Sequence, residues 1–394
     1  MTDTRALQAI AERPGVAALF AALGPGEARL VGGAVRDALL GAEVKDVDFA
    51  TRLSPYEVMR RCGAAGIRTI PTGIAHGTIT ALSAGEPVEV TTLRADLATD
   101  GRHATVAFTD DWREDAARRD FTVNALYFDP HTREINDWFG GLGDLEERRV
   151  RFIGDPSQRI AEDHLRILRF FRFTARFGQA VDEAGLAACA ARANDLMALS
   201  RERIADEWLK LLALPDPVPT VGLMLEHGIL KPVLPEIEGG ALPHLQRLVA
   251  AERAGGFEPE PLRRLAALLP SDPALADRVA ARLKLSNKAR KRLASAADAE
   301  RSDQPKVLAY AIGRDEAQDR LLLANRSDEA ASLARWDVPR LPVGGGVLIA
   351  RGLAPGPVVA KTLKAVERRW VAEDFPDETR VSQLVEEEVA RAQA

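Results

Sequence analysis

The stretch LVGGAVRDALLGAEVKDVDFAT, residues 30–51, decides how the rest of the chain is read. Its apolar lead-in, 28–31, runs into the glycine pair Gly32-Gly33. A helical pattern over 35–40 follows, with Arg36 and Asp37 in its first turn. A second β-like segment, 47–50, then brings up Asp46 and Asp48. Glycines let a backbone approach a ligand closely, and a helix N-terminus offers unpaired N–H groups to phosphate. Residues two apart on a strand share a face, so the spacing predicts that Asp46 and Asp48 project together. Two carboxylates that close are costly without a cation between them, and Mg²⁺ takes carboxylate oxygens together with substrate phosphates. Taken singly, the glycine pair reads as a tight turn and the D-x-D as a solvated strand end. In this order, with Arg36 between them, a phosphate cradle and a metal-holding acid pair imply nucleotidyl transfer.

Working outward, GGAVRD (32–37) followed by KDVDFAT (45–51) resembles the signature of class II tRNA nucleotidyltransferases, the CCA-adding enzymes and their poly(A) polymerase relatives. Three further stretches carry the resemblance. RRDFTVNA (118–125) is similar to the family's RRDFTxNA, EDHLRILR (162–169) to its EDxxR, and LSRERIADEWLKLLALPDP (199–217) to its last shared motif. The implied fold is α+β: an N-terminal mixed α/β nucleotidyltransferase head like that of DNA polymerase beta, followed by an all-α neck, body and tail. The expected boundaries are 1–146 for the head, 147–212 for the neck, 213–330 for the body and 331–394 for a tRNA-binding tail.

The resemblance also assigns residues. Asp46 and Asp48 would hold Mg²⁺, with Glu89 in VEVTTLR (88–94) as third active-site carboxylate. Val88 and Val90 suit the core face of that strand, so Glu89 faces the other way. Gly32, Gly33, Arg36 and Arg119 would contact the nucleotide's phosphates, a guanidinium fork being suited to a triphosphate. Asp120 and Asn124, one helical turn apart, either brace the ribose or orient Arg119. Arg169 and Arg172 would help hold the triphosphate or the base.

Asp163 and Arg166 would read the base. Cytosine and adenine present the same order of amino donor and ring-nitrogen acceptor, matching a carboxylate acceptor beside a guanidinium donor. Guanine and uracil present a carbonyl and a ring N–H, which leaves both protein groups mismatched. Asp155-Pro156 opens a helix predicted to run to Phe177-Gly178, with Asp163, Arg166, Arg169, Arg172 and Arg176 along one face. The alternative for that face is an exposed, salt-bridged one. Four arginines against one aspartate leave a positive excess, and so predict an anionic ligand.

Composition narrows the classes. At 394 residues the chain is long enough for two or more domains, and 28% charged with 46% hydrophobic residues describes an ordinary soluble protein. The formal net charge of -5 argues against a general polyanion binder, so RNA needs a local basic surface, for which the arginines between 148 and 176 are the candidate. Two cysteines make neither a disulfide framework nor a zinc site. No apolar run spans a bilayer and no signal sequence opens the chain, so a cytoplasmic location without membrane contact is expected. Residues 94–117 are polar and glycine-punctuated, and predict a mobile loop.

The expected activity is addition of CCA to tRNA from CTP and ATP, with Mg²⁺ as cofactor and no obligate protein partner. A poly(A) polymerase of the same superfamily is the nearer alternative. Such enzymes carry a basic run after the D-x-D segment, where this chain has the neutral PTGIAHGTITA (71–81). A non-catalytic tRNA-binding protein that retains the fold is the other alternative.

Overall fold

The computed structural model describes residues 3–100, 103–298 and 304–394. The chain divides into two compact units, residues 1–211 with 219–235, and residues 212–218 with 236–394.

The first unit begins with α1 (Arg5–Ala11) and α2 (Pro14–Leu23), split at Pro14 as proline at the first helical turn requires. Then come β1 (Ala28–Val31), α3 (Gly33–Leu39), β2 (Asp48–Thr51), α4 (Pro55–Ala64), β3 (Arg68–Gly73), β4 (Thr78–Ser83) and β5 (Glu86–Thr92). After β6 (Arg94–Asp100) and β7 (His103–Phe108), α5 (Trp112–Ala117) leads to β8 (Tyr127–Asp129), β9 (Glu134–Asn136) and α6 (Gly141–Glu146). The unit ends in helices α7 (Pro156–Glu162), α8 (Arg166–Phe177), α9 (Glu183–Ala191), α10 (Arg201–Leu212) and α11 (Val218–Glu226), whose last or first residue falls to the second unit for α10 and α11.

Seven strands form one sheet in the order β3-β4-β5-β2-β1-β8-β9. Every neighbouring pair is antiparallel except β2 with β5. Val31, Ala50, Leu93, Trp112, Ala116, Ala125, Tyr127 and Ile153 form one core cluster, and Phe20 meets Phe49 at 4.5 Å between ring centroids. Below them Phe121, Phe152, Phe170 and Phe173 join α8 to the segment 118–125.

Two expectations are corrected. The segment 94–117 is not an irregular loop: β6 and β7 pair as an antiparallel ribbon from Arg94 opposite Phe108, and α5 follows with Asp111 capping it. The β-branched and aromatic residues of HATVAF favour a strand, and the surrounding polar residues masked that signal. Residues 101 and 102, inside that segment, lie outside the described residues. The single helix over 155–177 is broken. Asp163 takes extended dihedrals (φ -150, ψ 106) and α8 begins afresh at Arg166. The break leaves Asp163 out of the helical phase that was to align it with the arginines.

The second unit is helical: α12 (Leu242–Gly255), α13 (Pro261–Leu268), α14 (Pro273–Arg282), α15 (Asn287–Ala296), α16 (Pro305–Ile312), α17 (Arg314–Leu323), α18 (Ser327–Ser332), α19 (Gly345–Ala350), α20 (Pro357–Ala372) and α21 (Glu378–Gln393). Two apolar clusters hold it, one around Leu308, Leu321 and Leu333, the other around Val366, Trp370 and Leu384. Among the described residues, no single helix is long and apolar enough to cross a membrane.

Candidate active site

The parallel pairing of β2 and β5 sets Asp48 opposite Glu89. Residues in register on neighbouring strands point to one side of the sheet, so the two carboxylates share a face while Phe49, Val88 and Val90 are buried. Glu89 lies where the alternation in VEVTTLR predicted. Asp46 does not lie on the strand: β2 starts at Asp48, and Asp46 belongs to the irregular segment before it. Its charge nevertheless reaches the pair. Burial pushes the Asp48 carboxyl above its ordinary value, Glu89 and Asp46 push it further, and Arg119 opposes them. A crowd of hard oxygen donors that resists its own ionisation fits a divalent cation. Among the described residues, no three His, Cys, Asp or Glu side chains are grouped closely enough to hold a metal ion by themselves. The acids would therefore supply part of a coordination shell and leave the rest to substrate oxygens, as suits Mg²⁺.

Gly32 turns the chain from β1 into α3 at φ +66, and a Cβ there would lie 3.2 Å from Arg119 Nη1 and 3.5 Å from the Asn124 carbonyl oxygen. Glycine is needed for both the dihedral and the approach of Arg119. A Cβ on Gly33 would meet only Arg36 Nη2 at 3.6 Å, so space does not demand glycine at that position. Arg119 donates from Nε to the Tyr127 hydroxyl (2.9 Å), and its Nη2 lies 3.3 Å from Asp115 Oδ2.

Arg36 is not in the cradle. Its side chain is 3% exposed and turns inward, donating to Asp37 Oδ1 (2.8 Å) and to Asn124 Oδ1, with Phe173 and Phe177 facing the guanidinium at 5.0 and 5.5 Å. The phase of α3 directs it at α8, although its backbone starts beside the turn. Of the two roles expected for Asp120 and Asn124, orienting Arg119 is not met, since neither touches Arg119 in the hydrogen-bond network. Asn124 Nδ2 donates to Asp120 Oδ1 (2.9 Å), and Asp120 Oδ2 accepts from Arg169 Nε (2.8 Å) and pairs with its Nη2 (2.6 Å). The two side chains hold Arg36 and Arg169.

The positive excess expected on α8 is neutralised. Arg169 and Arg172 meet Glu207 of α10 at 3.6 and 2.5 Å, Arg176 donates to Asp37 (2.8 Å), and Arg166 Nη1 to Glu162 Oε2 (2.6 Å). Most of these acids come from other elements, which is why one helix face read in isolation looked unbalanced. Arg149 and Arg151, from the candidate basic stretch, likewise both engage Asp144. Arg166 also donates to the Arg159 and Arg118 carbonyls (3.0 and 2.9 Å), and Arg203 Nη2 reaches both Asp163 oxygens at 3.1 and 2.9 Å. The Asp163 and Arg166 side chains are thus each engaged by a neighbour rather than by the other, although the Arg166 N–H donates to the Asp163 carbonyl at 3.0 Å.

Sequence reasoning missed Asp115, Tyr127, Arg203 and Glu207 as parts of this site. The i, i+4 spacing of Asp115 to Arg119 was the one available signal, since Arg203 and Glu207 pair with residues of other elements. Glu207 is 4% exposed and pairs with Arg172 at 2.5 Å, so Glu207→Ala would strip Arg172 of that carboxylate, while Arg169 keeps Asp120. The expected cost is about 3–5 kcal/mol, read as a lowered melting temperature and denaturant midpoint. An unchanged midpoint would show that Arg172 does not depend on that carboxylate.

With this geometry in place, similarity to known proteins becomes specific. Residues 28–151 match the Poly A polymerase head domain, and residues 180–239 match the family described as the probable RNA and SrmB-binding site of polymerase A. The mouse mitochondrial CCA tRNA nucleotidyltransferase 1 is 37% identical over 369 residues, covering 87% of this chain and 82% of its own. The chain belongs to the CCA tRNA nucleotidyltransferase family. The CCA-adding enzyme of Latilactobacillus sakei is 32% identical over 381 residues, covering 90% of this chain and 92% of its own. Among solved structures, the Bacillus stearothermophilus CCA-adding enzyme in complex with CTP superimposes with a TM-score of 0.73 at 29% identity, over 93% of this chain and 94% of that one. The head-domain match, residues 28–151, takes in all seven strands of the large sheet and both Asp48 and Arg119.

Proposed function

We propose that the chain is a template-independent tRNA nucleotidyltransferase that adds C, C and A to tRNA 3′ ends from CTP and ATP and releases pyrophosphate. The observation that carries the site is the register of β2 and β5, which brings Glu89 beside Asp48, with the positive charge of Arg119 opposing theirs. Asp46, Asp48 and Glu89 are the proposed catalytic acids, the first two as metal ligands. Mg²⁺ held there would lower the pKa of the attacking 3′-hydroxyl and neutralise charge on the leaving pyrophosphate. Arg119, lying against the Gly32 turn, holds phosphate, and Gly32 gives the nucleotide room to approach. Arg36, Asp120 and Asn124 act behind the surface, locking α3, the 118–125 segment and α8 into one frame. Asp163 and Arg166 read the base, while Arg169 and Arg172 line the same helix.

The proposed division remains a head over 1–146, a neck over 147–212, a helical body over 213–330 and a helical tail over 331–394, the last meeting tRNA. A cytoplasmic location is proposed, where the free, buried Cys62 and Cys189 persist as thiols.

The decisive experiment incubates purified protein with tRNA lacking its 3′ end and each labelled nucleoside triphosphate in turn. Two cytidines and then one adenosine are expected. Repeated adenosine addition would instead identify a poly(A) polymerase, and no incorporation would leave only a tRNA-binding role.

A further inference from the structure

Arg119 does not reach the Gly32 turn unaided. Tyr127 on β8 is the ladder partner of Val31, the last residue before that turn, and its phenol is fully buried. The hydroxyl accepts from Arg119 Nε at 2.9 Å and donates to Asp115 Oδ2 at 2.5 Å. Asp115 is 1% exposed and collects donors from two directions. Its Oδ2 also faces Arg119 Nη2 at 3.3 Å, and its Oδ1 accepts from Arg118 Nη2 (2.7 Å) and from the backbone N–H of Arg94 (3.0 Å), where β6 begins. Two of the three nitrogens of the Arg119 guanidinium are therefore engaged from behind, and Nη1 is the one nearest the Gly32 turn, 3.2 Å from where a Cβ would stand.

The geometry points to Asp115 and Tyr127 as positioning residues that aim Arg119 at the nucleotide's phosphates. Through the Arg94 amide, Asp115 also ties the root of the β6–β7 ribbon to the same arginine. This inference rests on the proposed phosphate role of Arg119. Burial disfavours the charged form of Asp115, yet Arg119 and Arg118 overcome it and hold the carboxyl at about 2, so the net stays charged at any working pH. Burial likewise raises the Tyr127 phenol, so it remains a donor to Asp115. An arginine fixed by one buried acid and one buried hydroxyl loses little freedom when a phosphate arrives.

The test is a double-mutant cycle of Tyr127→Phe with Arg119→Ala, read by KM for CTP and ATP and by the inhibition constant of pyrophosphate. Tyr127→Phe removes only a hydroxyl. In the otherwise intact enzyme it is expected to weaken both triphosphates and pyrophosphate about tenfold, with kcat and tRNA affinity much less affected. In the Arg119→Ala background the same change should have no further effect. Asp115→Asn should act in the same direction and more strongly, whereas Glu114→Gln, on an exposed position of the same helix, should match the parent. Equal losses in both backgrounds, or none in the parent, would overturn the positioning role while Arg119 kept its own. Should Arg119→Ala bind pyrophosphate normally, the phosphate role of Arg119 falls, and this inference with it.

Discussion

Asp48→Asn is expected to lower nucleotide incorporation by about a thousandfold or more, leave tRNA binding intact, and raise rather than lower stability. The first part follows from the charge removed: a divalent cation at such a site supplies several kcal/mol of transition-state stabilisation, and each 1.36 kcal/mol is about tenfold in rate. The second follows from separation of tasks, since the role proposed for the acids is at the reacting phosphate and not on the RNA body. The third comes from the electrostatics of the free protein. Burial, Glu89 and Asp46 all disfavour the charged form of Asp48. A carboxyl whose pKa is raised on folding binds its proton more tightly folded than unfolded, so its contribution to stability falls as pH rises through that range. Above it, the parent carries a penalty that the neutral amide lacks. The melting temperature of Asp48→Asn should therefore exceed the parent's at neutral pH without added metal, and the difference should shrink towards the ordinary carboxylate range. Saturating Mg²⁺ should stabilise the parent more than the variant. A variant that keeps incorporating nucleotide would remove the metal-site assignment, and one that melts lower would show that the acids hold the fold instead of straining it.

The parts of this site that could be read in the sequence are those made by local geometry. Gly32 marks a positive-φ turn between an apolar run and a helix, and the alternation of Val88, Glu89 and Val90 sets which residue faces out. Both depend on a few neighbouring residues and a fixed period. Arg36 shows where that logic stops. Its place in the first turn of α3 was legible, but the phase that aims it at Phe173 and Phe177 depends on α8, about 140 residues later in the chain. The arginines of α8 follow the same pattern, because Asp37, Asp120 and Glu207 reach them from three distant segments. Asp115 stands in a stretch whose sequence reads only as polar. Only the docking of α5 through Trp112 and Ala116 into the sheet core buries it beside Tyr127. Long-range pairing of charges decided these cases, and no local period encodes it.

Asp163→Ala is expected to relax base choice without unfolding the protein. In the free structure Asp163 is held by Arg203, and both side chains are substantially exposed, at 35% and 48%. A pair so open to solvent contributes about 0–1 kcal/mol, so losing it should barely move the melting temperature, and an incoming base can displace Arg203 at little cost. Arg166 differs. At 13% exposure it serves Glu162 and two carbonyls, and its removal would mix a structural defect with a recognition defect. Asp163 is therefore the cleaner probe. With the carboxylate gone, the amino groups of cytosine and adenine lose their acceptor, while the carbonyls of uracil and guanine no longer meet a repelling oxygen. An unsatisfied polar group costs about 1–3 kcal/mol, which sets the expected fall in the preference for CTP over UTP, and for ATP over GTP, at roughly ten- to a hundredfold. Measuring kcat/KM for all four triphosphates on tRNA lacking its 3′ end reads this directly. Preserved ratios alongside a reduced rate would move Asp163 from base recognition to the architecture of the α7–α8 break, where its carboxylate also accepts the Leu165 amide at 3.1 Å.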